Sequence, residues 1–230
     1  MIESDELPKT AQPSIGRFVE VYDELGKKGD SVISIQMMRS ISGTVDAARQ
    51  AADITETNVT VVDSDFTSRS MGMIVKEAAK AAQEGKTVEE ILEIVEDAKK
   101  RTTLYLTVVN LDNLIKGGRI SQLMGMFSNL LNIKLFLQVI NGKIEIIQKG
   151  RGLKSLQKKY DEIFEQMKAA PNGIQEIGIM HAGLSDFNEG NIARVRELFP
   201  DVPLTIVTTS PIIMSHTGVD AMAITYLENK

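Results

Sequence analysis

The chain has 230 residues, 43% hydrophobic and 25% charged, so it can bury a sizeable core as one large domain or two smaller lobes. Its formal net charge of −5 and the lack of any Lys/Arg block argue against nucleic-acid binding. The absence of cysteine excludes disulfides and thiol chemistry, and with only two histidines we expect no metal site.

The first part of the chain alternates between strand-like and helix-like segments. Thr87, followed three residues later by Glu90, has the spacing of a helix capping box. In chain order we predict a helix opened by Pro13-Ser14, a strand over residues 31–37, a helix over 45–52, a strand over 59–62, a helix over 71–84 and a helix after Thr87. Such alternation predicts a largely parallel sheet flanked by helices, which we assign to an N-terminal lobe over residues 1–101.

The second part carries a hairpin signal, because Asn141-Gly142 lies between two β-branched runs. In chain order we predict a strand over residues 104–109, a helical segment leading into the Gly117-Gly118-Arg119 turn, a helix over 122–132, hairpin strands over 135–140 and 143–148, a helix over 153–169, a strand over 177–180, a helix over 192–199 and strands over 204–207 and 221–227. These elements predict a mixed sheet in a C-terminal lobe over residues 102–230. We therefore expect an α/β protein of two lobes with a ligand between them.

Four short polar segments lie beside apolar runs and offer hydrogen-bond donors. They cover residues 10–14, 42–44, 116–121 and 215–218. Together they supply hydroxyls, glycine backbone N–H groups, the guanidinium of Arg119 and the imidazole of His216. A pocket built from such groups would hold an anion, most simply a carboxylate or a phosphate.

Each of these segments also has a plain structural interpretation. Ser14 or Thr10 can cap the helix that follows, and Ser42-Gly43-Thr44 can open a helix without any ligand. Arg119 after its glycine pair can be an ordinary surface arginine. We place His216 at a strand end beside a glycine turn, where open α/β sheets bind ligands.

Three further features have two interpretations each. His181 follows a predicted strand as His216 does and could therefore contact a ligand, but no hydroxyl–glycine sequence comes after it, so we assign it a structural role. The basic stretch over residues 149–159 can be a solvated helix face or a surface that docks an acidic partner. Methionines near the polar segments can fill the core or line an apolar tunnel; they are Met71, Met73, Met124, Met126, Met214 and Met222.

The order and spacing of several motifs resemble those of the DegV family, the fatty-acid-binding subunits of bacterial fatty acid kinase. The resemblance runs from about Leu7 to Leu227. It rests on Thr10-Ala-Gln-Pro-Ser14, Ile41-Ser-Gly-Thr44, Val62-Asp-Ser64 with Ser70-Met-Gly72, Leu114-Ile-Lys-Gly-Gly-Arg-Ile-Ser121, Asn132-Ile-Lys134 with Asn141-Gly-Lys143, Lys149-Gly-Arg151 and Ser215-His-Thr-Gly218.

The resemblance implies a two-lobed protein that buries a long-chain fatty acid in a tunnel. It places the ligand carboxylate beside Thr10, Ser42, Arg119 and His216. The surrounding loops would be supported by Gly43, Gly117, Gly118, Thr217 and Gly218. It also implies no cofactor and no catalytic residue in this chain, because a separate kinase subunit binds ATP and phosphorylates the carboxylate. Arg151 matches a position that members direct towards that kinase.

The sequence departs from the family pattern in several places. Members usually begin with a strand carrying an Asp-Ser-Thr-like turn, which this sequence lacks, so we expect the N-terminal lobe to be without its first strand. Ala11, Met38-Arg39, Leu135-Phe136 and Val219-Asp220 replace residues that are usual in the family. Asp220 would repel a carboxylate if its side chain faced the ligand.

Two rival functions remain beside the fatty-acid carrier. One is a stand-alone enzyme that acts on a small anionic metabolite with His216 as general acid–base. The other is a scaffold that binds no ligand. No run of about 18 apolar residues is present, so we expect no membrane insertion. The acidic N-terminus does not resemble a signal peptide, and we expect a cytoplasmic location.

Overall fold

The computed structural model describes residues 7–119 and 133–230, which form two compact units. The N-unit comprises Ala11–Thr102 and Val139–Lys143. The C-unit comprises the described residues 7–10, 103–119, 133–138 and 144–230. The main division between the units falls at residue 102, next to the predicted boundary at residue 101. Residues 7–10, however, belong to the C-unit, and residues 139–143 belong to the N-unit. The predicted helix over 122–132, with Met124 and Met126, and the residues Ile120 and Ser121 lie outside the described part.

The N-unit contains four helices and a two-stranded parallel sheet among its described residues. Its elements are α1 (Ile15–Gly26), β1 (Val32–Gln36), α2 (Thr44–Ala52), β2 (Val59–Asp63), α3 (Ser68–Gln83) and α4 (Val88–Arg101). Val32 lies opposite Val59 in the sheet, which confirms the predicted parallel pairing. Small and β-branched side chains such as Val45, Ala48 and Val95 are fully buried, so the helices pack closely.

Local capping residues set where these helices begin. The hydroxyl of Ser14 accepts a hydrogen bond from the N–H of Arg17 at 3.2 Å, so Ser14 is the N-cap of α1. Thr87 and Glu90 form the predicted capping box at the start of α4, with hydrogen bonds in both directions. Two of the four unpaired N–H groups at that helix end are thereby satisfied.

The C-unit elements lie around a six-stranded mixed sheet in the order β5-β4-β3-β8-β6-β7. The elements are β3 (Thr102–Val108), α5 (Asp112–Lys116), β4 (Ile133–Ile140), β5 (Lys143–Arg151), α6 (Leu153–Lys168), β6 (Ile174–His181), α7 (Asp186–Leu198), β7 (Leu204–Thr208), α8 (Pro211–Thr217) and β8 (Met222–Glu228). Strand β6 pairs parallel with β7 and antiparallel with β8, and β3 pairs antiparallel with β4. The predicted α/β class with a mixed second sheet is confirmed.

The hairpin of β4 and β5 turns at Asn141 and Gly142, with φ angles of 49° and 68°. Both central residues of a type I′ turn need positive φ, which explains the Asn-Gly pair. The strands extend beyond the prediction, because β4 begins at Ile133 and β5 ends at Arg151. The residues added at these strand ends are mostly polar, so the hydrophobic pattern did not predict the extensions.

Aromatic side chains fill the core between the sheet and α6. The rings of Phe136 and Tyr160 meet edge to face with centroids 4.9 Å apart, and Tyr160 also contacts Phe164 and Phe187. The phenol of Tyr160 is buried and hydrogen-bonds the hydroxyl of Thr107 at 3.0 Å. Such rings contribute about 0.5–1.5 kcal/mol per pair beyond their burial, so they anchor α6 on the sheet.

Two predicted elements differ from the structure. Helix α7 begins at Asp186, six residues before the predicted start at Ile192, since its first turn is too polar to show an apolar stripe. The segment Pro211–Thr217, expected to end a strand, is helix α8 instead. It is too short to show helical periodicity, and its start signal is Ser210 followed by Pro211.

Candidate functional site

His216 lies near the end of α8, so its predicted place at a strand end was wrong. The hydroxyl of Ser210 accepts from the N–H of Ile213 at 3.4 Å and caps the helix start, where Pro211 occupies the first turn. Gly218 ends the helix with a φ of 78°, a conformation that favours glycine. The helix therefore fixes the direction in which the imidazole extends.

The structure brings Thr10 and His216 into contact although they lie 206 residues apart in the chain. The Thr10 hydroxyl and His216 Nε2 are 3.0 Å apart, a good hydrogen bond in which the tautomer decides which atom donates. Both residues are half-buried. Two of the four predicted carboxylate-binding residues thus form one pair in the C-unit.

Gly117 and Arg119 lie beside this pair. The guanidinium Nη1 of Arg119 donates to the carbonyl oxygen of Gly117 at 2.7 Å, and the side chain is exposed. A Cβ atom added at Gly117 would overlap His216 Nδ1, so the glycine is in direct contact with the ring. Gly118 has a φ of 69°, which a residue with a Cβ rarely adopts.

The electrostatic surroundings favour a neutral imidazole. Burial lowers the pKa of His216 below its usual value, and the nearby positive charge of Arg119 lowers the pKa further. Within residues 7–119 and 133–230, the buried Nδ1 of His216 has no hydrogen-bond partner. An anion beside Arg119 and His216 would reverse this balance, because a negative charge favours the protonated ring.

Asn113 is a residue that the sequence analysis did not identify. Its side-chain amide donates to the carbonyl oxygens of Met214 and Ser215 at 3.4 and 3.3 Å, which ties α5 to α8. Thr217 directs its hydroxyl back to the carbonyl oxygen of Ile213 at 3.1 Å and so supports the helix end. Because the Asn113 amide bonds to backbone carbonyl oxygens, no charged residue or sequence motif indicated this contact.

Ser42 and Gly43 belong to the N-unit, at the start of α2. The Ser42 hydroxyl accepts from the N–H of Thr44 at 3.2 Å and lies 2.7 Å from the Thr44 hydroxyl. A Cβ atom at Gly43 would overlap the Gln12 side chain. Ser42 is half-buried, and its hydroxyl therefore takes part in a local turn.

The other residues singled out in the sequence lie at the ends of strands or in the core. Arg151 is exposed at the last residue of β5. His181 is buried at the end of β6, where its carbonyl oxygen accepts from Thr209 N at 2.9 Å. Met73 and Met222 are fully buried.

Asp220, which we expected to repel a carboxylate if it faced one, has a left-handed backbone with a φ of 63°. Its carboxylate Oδ1 lies against Gly183, 2.9 Å from where a Cβ of that residue would be. Its N–H donates to Ala182 O at 3.1 Å, and its carbonyl oxygen accepts from the Asn188 amide at 3.2 Å. Asp220 is thus held within the loops that follow β6 and precede β8.

In the part of the chain that the structure describes, no group of His, Asp or Glu side chains is arranged to hold a metal ion. Across the same residues, no helix combines enough length with enough apolar character to cross a bilayer.

Comparison with known proteins gives one consistent family. A family model described as an uncharacterised protein of the DegV family matches residues 1–229. A DegV domain-containing protein of Streptococcus pneumoniae serotype 4 is 42% identical over 224 residues, which are 97% of this chain and 79% of that protein.

Two solved structures are also similar. A DegV family protein from Thermus thermophilus, described as fatty acid binding, has a TM-score of 0.82 and 30% identity over 96% of this chain and 79% of that one. The Fatty Acid Kinase (Fak) B3 protein of S. pneumoniae, loaded with linoleic acid, has a TM-score of 0.81 and 25% identity over 100% of this chain and 81% of that one.

Proposed function

Because this chain belongs to the DegV family, we propose that it binds a long-chain fatty acid and presents the carboxylate to a separate ATP-dependent kinase subunit. Thr10, Arg119 and His216 hold the carboxylate in this proposal. The product is an acyl phosphate, formed when a carboxylate oxygen attacks the γ-phosphorus of ATP and ADP leaves.

One observation carries the proposal: the 3.0 Å contact between Thr10 and His216, beside the guanidinium of Arg119. A hydroxyl, an imidazole and a guanidinium are the donors that a carboxylate needs when it leaves water. An unpaired buried carboxylate is very costly, so these donors are what permits a bound acid. The fatty acids that the T. thermophilus and Fak B3 proteins bind support a carboxylate ligand with a long chain.

The acyl chain supplies most of the affinity in this scheme. Each methylene group moved from water into an apolar interior contributes about 0.8 kcal/mol. The polar residues then determine the orientation of the headgroup, since a hydrogen bond to a charged group contributes about 1.5–3 kcal/mol.

The kinase partner is the second half of the proposal. The name of the Fak B3 protein, a fatty acid kinase component, supports it. Arg151 and the basic residues near it offer a positively charged surface for an acidic face of that partner. We expect Arg151→Ala to raise the KM for the kinase subunit in an assay of acyl-phosphate formation.

The test of ligand identity is mass spectrometry of an organic extract, together with native mass spectrometry of the intact protein. We expect one fatty acid per chain. A protein that carries no lipid and takes up no added oleate would refute the carrier function.

Variants test the assigned residues in the same assay. Arg119→Ala and His216→Ala should each weaken oleate binding about 10-fold or more, as the loss of a charge-assisted hydrogen bond predicts. Arg17→Ala is the matched control for Arg119→Ala, because Arg17 is an exposed arginine of the N-unit whose guanidinium pairs with Glu20. Equal affinity in the three variants would contradict the assigned site.

A further inference from the structure

We propose that Gly117 is a positioning residue of the carboxylate site, because the missing side chain keeps the imidazole of His216 against Thr10. This inference rests on the proposed function. It assigns to Gly117 a role exerted through His216, with no contact to the ligand.

The backbone at position 117 does not itself require glycine. Gly117 has φ −76° and ψ −11°, which are helical angles that any L-residue adopts. Alanine would be favoured there by helix propensity. Gly118, with a φ of 69°, has a left-handed backbone that favours glycine, so the two neighbouring glycines have different reasons.

Space is the reason at Gly117. A Cβ there would overlap His216 Nδ1, would lie 3.3 Å from Cε1 of the same ring, and would also lie 2.9 Å from the backbone carbonyl oxygen of Asn113. The ring has little freedom to retreat. Its far side is held by Thr10 at 3.0 Å, and Asn113 fixes the carbonyl oxygen of the preceding residue, Ser215, at 3.3 Å. A methyl group at position 117 would therefore move the imidazole away from Thr10.

The contact between Gly117 and the imidazole also determines which ring nitrogen of His216 carries the proton. Nδ1 faces Gly117 and finds no hydrogen-bond partner within the described residues. A buried N–H without an acceptor is rarer than a buried acceptor without a donor, so the network places the proton on Nε2. Nε2–H then donates to Thr10 Oγ1, and the Thr10 hydroxyl proton stays available for a ligand carboxylate.

The experiment is a double-mutant cycle on oleate affinity. We expect Gly117→Ala to weaken binding about 10- to 100-fold, as the loss of a hydrogen bond to a charged group predicts, and to add nothing in a His216→Ala background. Gly190→Ala is the matched control, since Gly190 lies in helix α7 and a Cβ there meets no atom within 4 Å. Additive losses from Gly117→Ala and His216→Ala would overturn the proposal.

A second readout does not depend on ligand binding. Titration of the imidazole by NMR should give a pKa closer to the usual value of about 6.5 in Gly117→Ala, as the displaced ring gains solvent. An unchanged His216 pKa in that variant would overturn the positioning role even if the protein bound no lipid. Absence of oleate binding by the unmodified protein would refute the proposed function alone.

Thr10→Val tests the same hydrogen-bond relay without adding volume at position 117. It should weaken oleate binding, and because the two side chains are coupled, Thr10→Val and His216→Ala together should cost less than the sum of the two single losses. Independent losses at Thr10 and His216 would contradict the relay.

Discussion

The hydroxyl pair of Thr107 and Tyr160 predicts an unequal effect of two similar substitutions. Thr107 Oγ1 donates its single proton to the carbonyl oxygen of Met222 at 3.0 Å. The phenol of Tyr160, 3.0 Å away, must therefore be the donor to Thr107. Burial raises the pKa of Tyr160, so the phenol stays protonated at neutral pH.

Each substitution removes a different part of this chain of hydrogen bonds. Tyr160→Phe deletes one donor and leaves the Thr107 bond to Met222 intact, which costs about 0.5–1.5 kcal/mol. Thr107→Val keeps the shape of the side chain but leaves a buried phenol without an acceptor and the Met222 carbonyl without its side-chain donor. We expect a loss of about 1.5–4.5 kcal/mol, the sum of the lost hydrogen bond to Met222 and the unsatisfied donor at Tyr160.

The double variant gives the decisive comparison. Adding Tyr160→Phe to Thr107→Val removes the orphaned phenol, so it should restore about 1–2 kcal/mol of stability. The assay is urea unfolding followed by circular dichroism. The comparison holds when all variants show the same slope of unfolding free energy against urea concentration. If Tyr160→Phe cost as much as Thr107→Val, or if the two losses added, the deduced direction of the hydrogen bonds would be wrong.

Three further predictions concern single residues. The pKa of His216 in the ligand-free protein, measured by NMR, should lie below its usual value of about 6.5. The unfolded chain then binds a proton more readily than the folded one, so the unfolding free energy should fall as the pH decreases from about 6.5 through the pKa of the folded protein. A bound fatty acid should raise this pKa. Asp220→Gly should raise the unfolding free energy by about 0.5 kcal/mol, because glycine adopts the φ of 63° without strain. A lower urea midpoint would show that the Asp220 side chain stabilises the fold by more than its backbone conformation costs. Thr87→Ala should lower the unfolding free energy by about 1 kcal/mol through loss of the capping box, and an unchanged urea midpoint would contradict this.

Local signals predicted much of the fold. The hairpin at Asn141 and Gly142 and the capping box at Thr87 and Glu90 depend on residues that are neighbours in the sequence, and both were predicted correctly. Helix α8 was missed because seven residues are too few for an apolar stripe. Its capping serine and proline were the only local sign.

The candidate site depends on contacts that spacing does not reveal. The residue types at positions 10, 119 and 216 indicated an anion site, but no pattern relates Thr10 to His216 across 206 residues. The tie from Asn113 to the end of α8 is equally distant, at 101 and 102 residues. Position 117 was noted for its backbone N–H group in a turn, yet its backbone angles are helical and the glycine provides room for a ring.

The long separation of Thr10 and His216 has a consequence for synthesis of the protein. A ribosome adding about 5–20 residues per second makes Thr10 roughly 10–40 s before His216. During that interval the segment Ala11–Thr102, which carries α1–α4 and the parallel pair β1–β2, is already complete. The Thr10 hydroxyl meanwhile has no imidazole to pair with. The growing chain can therefore form the proposed headgroup site only when α8 has been made, after most of its sequence has been translated.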